Sequence, residues 1–291
     1  MLRVNQLVGF GNRPQYVGPL DLYATNLAMA YSAARRLLQS YSGPLLRLRR
    51  SSDDAESDFG ALGTGLLDTT SITAWLGGAT GYGVTLYDQS GLARHISQAT
   101  GAKQPTYLAA SSAINSVPSL SFGGSHSLQY DAGSGNTFLN ATTAYFVTAM
   151  SAPSSGGVGF PRILSAKASS GNDYDQDSSC LLSFDNGGAN IVAGRNAAAG
   201  GTLARAADTG FVASARFDST QVFAAVNGTE GSAGTESGTF AARYLGMGEV
   251  GNSGGSFTTM KLAEGLIWNA VPSGGDRTAI IALEKTLMGV A

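Results

Sequence analysis

Cysteine occurs once in the 291 residues, at Cys180, which excludes an intrachain disulfide framework and a cysteine-built zinc site. Charge is scarce: Asp, Glu, Lys and Arg make up 13% of the chain, 18 basic against 20 acidic, for a net charge of −2. A field that weak draws in neither nucleic acid nor an anionic membrane. Long apolar runs are missing as well, none approaching the roughly 18 residues that read as a membrane span. The first ten residues carry neither the apolar stretch nor the small-residue cleavage site of a secretory signal. His95 and His126 are the two histidines, far apart and without a third ligand in view, so no zinc site is expected. Hydrophobic residues nevertheless reach 43%, too many for a disordered chain. Glycine, at 40 residues, is about twice its ordinary share of roughly 7%, which points to a turn-rich fold.

Gly9, Gly11, Pro14, Gly18 and Pro19 break residues 1–19 into short pieces, read as an N-terminal arm for attachment, with one domain over 20–291. Leu27, Ala30, Tyr31, Ala34, Leu37, Leu38 and Tyr41 recur at the three-and-four spacing of one helical face, which predicts a helix over 22–41 between an Asp21 cap and the Gly43-Pro44 stop. Residues 44–50 alternate apolar and basic, as a half-buried strand does. Short β-like runs follow at 83–88, 118–122, 126–131, 143–151, 162–167, 180–185, 189–193, 211–217, 220–227, 241–247 and 256–268. Many short strands with turn residues between them, and no 10–15-residue helical pattern among them, predict an all-β sandwich or jelly roll. A second helix is expected over 274–289, capped by Ser273 with Asp276 three residues on, its stripe being Ile280, Ile281, Leu283, Leu287 and Met288. The sandwich is thus flanked by one N-terminal and one C-terminal helix.

Two segments carry a family resemblance. One is Gly18-Pro-Leu-Asp-Leu-Tyr23 with Ala30 to Leu38 and Tyr41 to Asp54, which includes Arg-Arg-Ser-Ser-Asp-Asp. The other is Val84-Thr-Leu-Tyr-Asp-Gln-Ser-Gly91 with His95 to Ala99 and Gln104-Pro105. Over roughly the first third, these resemble the catalytic domain of the α-L-arabinofuranosidase B family, which implies a concanavalin A-like β-sandwich and retaining hydrolysis of arabinofuranosides. Similar blocks resemble those of phage and prophage tail and surface proteins, and Leu2 to Gly11 resembles the start of virion proteins that attach through their N-terminus.

A retaining glycosidase needs two carboxyl groups about 5–5.5 Å apart. The resemblance places Asp185, in Leu181 to Asn186, at the nucleophile position, where the family has Glu. It places the acid/base on Val250, with the neighbouring Glu249 as the only stand-in. The family's vicinal cysteine pair is missing, because Cys180 stands alone. Trp75, Tyr82, Tyr87, Asp88 and Tyr174 are the candidate sugar-binding residues, aromatic platforms with a polar partner; Asp88 also suits a turn, accepting backbone N–H groups. Asp173, Asp175 and Asp177 alternate as calcium-loop ligands 1, 3 and 5 do, but Ser178 and Phe184 stand where Gly and Glu are required. No cofactor is therefore expected, with a looser calcium site on those three aspartates as the alternative.

A shortened nucleophile and a valine for the acid lead to the reading of a non-enzymatic virion component. It is a phage tail or head-surface protein with a lectin-like face for host-surface glycans, assembled in the bacterial cytoplasm. Its expected partners are other virion proteins through the arm and a host glycan, in multiple copies or as a homo-oligomer, with no nucleic acid and no membrane span. The alternative is a glycoside hydrolase or depolymerase of α-L-arabinofuranosidase type.

Overall fold

A computed structural model describes residues 16–155, 159–169, 178–250 and 255–290. Within them the chain forms β1 (Leu27–Ser32), β2 (Leu46–Arg50), β3 (Glu56–Phe59), α1 (Thr69–Leu76), β4 (Gly81–Leu86), β5 (Ile96–Ser97), β6 (Thr106–Ser111) and β7 (Val117–Gly123). Next come β8 (Leu128–Asp131), β9 (Ala144–Ser151), β10 (Arg162–Lys167), β11 (Cys180–Phe184), β12 (Asn190–Arg195), β13 (Ala198–Ala199), β14 (Leu203–Ala204) and β15 (Phe211–Phe217). The last elements are β16 (Gln221–Val226), β17 (Thr229–Glu230), β18 (Gly234–Thr235), β19 (Tyr244–Met247), β20 (Thr259–Trp268) and α2 (Gly274–Met288).

All named pairings are antiparallel. One layer runs β16–β15–β9–β20, and β20 pairs with β1 along one stretch and β7 along another. The second layer runs β12–β11–β10–β19–β8–β5–β4–β2–β3, joined to the first through β6 and β7. Between the layers lies the main core, with Phe146, Phe217 and Phe240 in edge-to-face contact, 5.5 and 5.7 Å between centroids. This is a β-sandwich with two helices, as the strand spacing predicts.

The first helix is not where the spacing put it. Residues 27–32 are strand β1 and Asp21–Tyr23 a single 3-10 turn. All six residues of β1 are buried, Met29 and Tyr31 in the inter-layer core and Leu27 and Ala30 against the outer cluster under α2. A strand buried on both faces is apolar throughout, and over six residues that cannot be told from a helical stripe. The N-terminal helix is instead α1, capped by Asp68, whose side chain accepts from Ser71 N at 3.0 Å, and ended by Gly77 at φ 58°.

The second helix lies where expected. Ser273 caps it, and Gly289 (φ 65°) closes it. Its inward residues are Ile280, Ile281, Met288 and, in the place expected of the half-buried Leu283, Glu284. Glu284 faces Glu264 of β20 and Arg35, which forks onto Glu264 at 2.9 and 3.0 Å and reaches Glu284 at 3.3 Å. Of the arm expected over 1–19, only 16–19 fall within the described residues, where Gly18 N donates to Asp21 and the Tyr16 hydroxyl to the Arg36 carbonyl.

Candidate functional site

Strands β10, β11, β19 and β8 turn Leu164, Ala166, Leu182, Leu245, Met247 and Leu128 into the core. Because side chains alternate along a strand, Ser165, Lys167, Ser183, Gly246 and Gln129 share the opposite face. Ser165, Lys167 and Ser183 are polar yet buried.

β11 and β19 both pair with β10, Ser183 opposite Arg162 and Met247 opposite Leu164, so both strands leave the sheet at one end. Asp185 and Glu249 lie two residues beyond those pairs, with backbones two strand spacings apart, roughly 10 Å. Their carboxyls turn away from each other. Asp185 faces its own hairpin toward β12, accepting from Ala189 N (3.0 Å), Asn190 N (3.2 Å) and Asn190 Nδ2 (2.6 Å). Burial pushes its carboxyl up, but these hydrogen bonds win and hold it below the usual aspartate range. Glu249 faces β8 on the other side, where Gln129 Nε2 donates to its Oε1, and its buried Oε2 has no hydrogen-bond partner among the described residues. Burial raises the Glu249 carboxyl above the ordinary glutamate value, against the pull of Lys103, Ser127 and Lys167. The two carboxyls are therefore shifted in opposite directions and turned to different neighbours, Asp185 toward β12 and Glu249 toward β8. With Asp185 committed to its turn, Asp185→Ala is expected to lower stability by about 1 kcal/mol, the typical worth of a capping carboxylate, measurable as a shifted denaturant midpoint.

The candidate sugar-binding residues are dispersed. Asp88 is 1% exposed and accepts from Ala30 N, Ser90 N and Arg94 N at 2.9 to 3.1 Å. The adjacent Gln89 accepts from Leu37 N and donates to the Arg35 carbonyl. The Tyr-Asp-Gln-Ser-Gly string thus closes the free edge of β1. Trp75 packs edge-on to Phe59 beneath Arg50. Tyr87 donates to Asp58 at 2.7 Å, and Tyr82 lies under Arg49 in a cleft of about 390 Å³ with His126 and Gln104. Tyr174, Asp173, Asp175 and Asp177 lie outside the described residues. Among the described residues no group of three His, Cys, Asp or Glu is placed to hold a metal ion, and no helix is long and apolar enough to cross a membrane. Sequence reasoning missed Gln129, Ser127 and Lys103 around Glu249; the only signal was the polar alternate face of 162–167.

Residues 19–156 match the family model of α-L-arabinofuranosidase B, catalytic. The chain is 35% identical over 85 residues to an α-L-arabinofuranosidase of Hypocrea jecorina, covering 28% of this chain and 17% of that protein. It is 37% identical over 86 residues to the α-L-arabinofuranosidase B of Penicillium canescens, covering 28% and 19%. The matches therefore span under a fifth of these relatives' length. Among solved structures, an arabinofuranosidase complexed with arabinofuranosyl-α-1,2-xylobiose superposes with a TM-score of 0.75 at 16% identity, over 94% of this chain and 65% of that one. An α-L-arabinofuranosidase soaked with a cyclic sulfate inhibitor gives 0.75 at 15%, over 94% and 66%. These matches overturn the virion reading and its location on a phage particle: the relatives are fungal arabinofuranosidases. The chain thus shares the concanavalin A-like sandwich of these enzymes, and its residues 19–156 are similar to the catalytic domain of α-L-arabinofuranosidase B.

Proposed function

We propose that this chain is a glycoside hydrolase of α-L-arabinofuranosidase type in which Glu249 is the proton donor. The observation that carries the reading is the Glu249 carboxyl: buried, held by Gln129 through one oxygen, with no partner for the other among the described residues, and raised by burial above the ordinary glutamate value. A general acid for a sugar leaving group needs that property. The family match over 19–156 and the names of the relatives supply the substrate class, a terminal arabinofuranosyl group. Asp185, facing its turn, is assigned the hairpin and not attack on the anomeric carbon; water forms the new bond to that carbon as the bond to the leaving oxygen breaks, the leaving oxygen takes the Glu249 proton, and the proton released by the water restores Glu249.

Two substrates test the assignment. 4-Nitrophenyl α-L-arabinofuranoside has a leaving group that departs with little protonation, whereas arabinofuranosyl-xylobiose must be protonated. Glu249→Gln is expected to slow the second by on the order of a hundredfold and the first far less. Asp185→Asn is expected to keep most of both activities. Equal losses on the two substrates in Glu249→Gln, or abolition in a folded Asp185→Asn, reverse the roles; no hydrolysis by the unaltered protein removes the reading.

A further inference from the structure

On the outer face of the first layer, between α2 and the hairpin of β15 and β16, runs a groove of about 550 Å³. Strand register builds its floor. Val147 of β9 lies opposite Ser214 of β15, Ser214 opposite Ala225 of β16, and Ala225 opposite Glu230 of β17. Directly opposed residues point to one face, and Val147 belongs to the cluster under α2, so this row runs out from beneath the helix. Ser214 and Ala225 are too small to fill the space beside it. The helix is the wall: Arg277, Ile281 and Lys285 follow one another at intervals of four and share one face. Ile281 packs inward, and the two cations stand along the groove, roughly 12 Å apart on the helix axis at 1.5 Å per residue.

Neither cation has a carboxylate partner among the described residues: Arg277 donates to the Pro272 carbonyl at 3.0 Å, and the Lys285 ammonium forms no ion pair. The acid that lines the groove, Glu230, is held through both oxygens by Arg216, at 2.9 and 2.8 Å, and Arg216 also bonds Asp218 at 2.7 Å. Its charge is spent across the floor, and the helix wall stays positive. Hydroxyls border the rest. Thr229 is exposed, and Thr278 donates to the Gly274 carbonyl and keeps its lone pairs for a ligand. Cations two helical turns apart suit a ligand with acid groups at intervals better than one compact anion. A shallow floor of Ser214, Ala225 and Gly228, bordered by hydroxyls and without an apolar recess, suits sugar rings better than peptide side chains.

We propose that the groove between α2 and β16 is a second binding site, for a short acidic saccharide whose carboxylates meet Arg277 and Lys285. It lies across the core from Glu249 and Asp185 and does not depend on the hydrolase reading. Trigalacturonic acid is the probe, titrated by calorimetry into the intact protein, with its methyl ester, which keeps the ring hydroxyls and removes the charge, as the neutral counterpart. The acid is expected to bind saturably, and less tightly as salt is raised, and the ester more weakly. Lys285→Gln and Arg277→Gln are each expected to weaken the acid about fivefold, the upper end for an exposed ion pair. Ala282→Trp, at an exposed position of the helix flank, closes the groove with both charges in place and is expected to abolish binding, which keeps the test open should Arg277→Gln fail to fold. No saturable binding by the unaltered protein, equal binding of the ester, equal binding of galacturonic acid itself or of hexaglutamate, or unchanged affinity in Lys285→Gln or Ala282→Trp overturns the proposal. Hydrolysis of 4-nitrophenyl α-L-arabinofuranoside is expected to be unchanged in all three variants and is scored separately, so failure of this site and failure of the hydrolase reading are told apart.

Discussion

Arg35→Leu is expected to cost about 3–5 kcal/mol of stability, the usual penalty for stripping a buried ion cluster of one partner. Arg35 is the cation facing two carboxyl groups with fully buried side chains, Glu264 at 2.9 Å and Glu284 at 3.3 Å, and Ser32 Oγ also donates to Glu264 at 2.7 Å. Without the guanidinium, α2 and β20 press two acids together in an apolar setting. The cluster also sets a dependence on pH. Burial first, and then the Glu264 carboxylate, push the Glu284 carboxyl well above its ordinary value, with Arg35 pulling the other way. A folded-state value above the unfolded one means that the native protein holds a proton that the unfolded chain has released. The stability from this group is therefore complete below the unfolded value of about 4.3 and is lost as pH rises through the native value. Glu284→Gln, which keeps a donor for Glu264 and removes the titration, is expected to melt higher than the unaltered protein at pH 8 and by a smaller margin at pH 5. A margin independent of pH would remove this account.

Trp268→Ala is expected to cost a further-reaching 3–5 kcal/mol or so, the range for deleting a large buried aromatic. Trp268 has no exposed surface, its Nε1 donates to the Tyr23 carbonyl at 2.8 Å, and its ring lies 5.9 Å from that of Tyr145. It ends β20 at the point where Leu27 of β1 pairs with it and where Ile280 and Ile281 of α2 pack. Deleting it opens a cavity under the helix and orphans the Tyr23 carbonyl. Trp268→Phe, which keeps most of the volume, is expected to recover more than half of the loss; urea midpoints of the two variants measure it.

The strands were legible because each lies between turn residues and has a face of its own: 162–167 and 211–217 coincide with β10 and β15. β1 was misread because both of its faces are covered, which erases the period-two signal. Helix α1 was missed because eight residues rich in Thr and Ser make a weak stripe with one buried residue, Ile72. Glu284 was invisible because its reason for facing inward is Arg35, 249 residues away. In the site, Asp185 and Glu249 were found by resemblance, but the direction of each carboxyl depends on partners in other strands: Asn190 for one, Gln129 for the other. The most specific string, Tyr87 to Gly91, proved to serve the edge of β1, because an Asp followed by Gln can satisfy backbone groups at long range.

The pairing of β1 with β20 has a consequence for biosynthesis. Ser32 meets Glu264 across 232 residues, and β20 is also the strand that joins β1, β7 and β9. A ribosome delivers Ser32 of β1 232 residues before Glu264 of β20, so the centre of the first layer stays open while the intervening chain is made. Contacts this distant in sequence close slowly, and until they do the apolar flanks of β1 and β9 stand uncovered, surfaces that nascent-chain chaperones bind. A chain stopped short of β20 lacks the strand that joins β1, β7 and β9 and has no middle to assemble around.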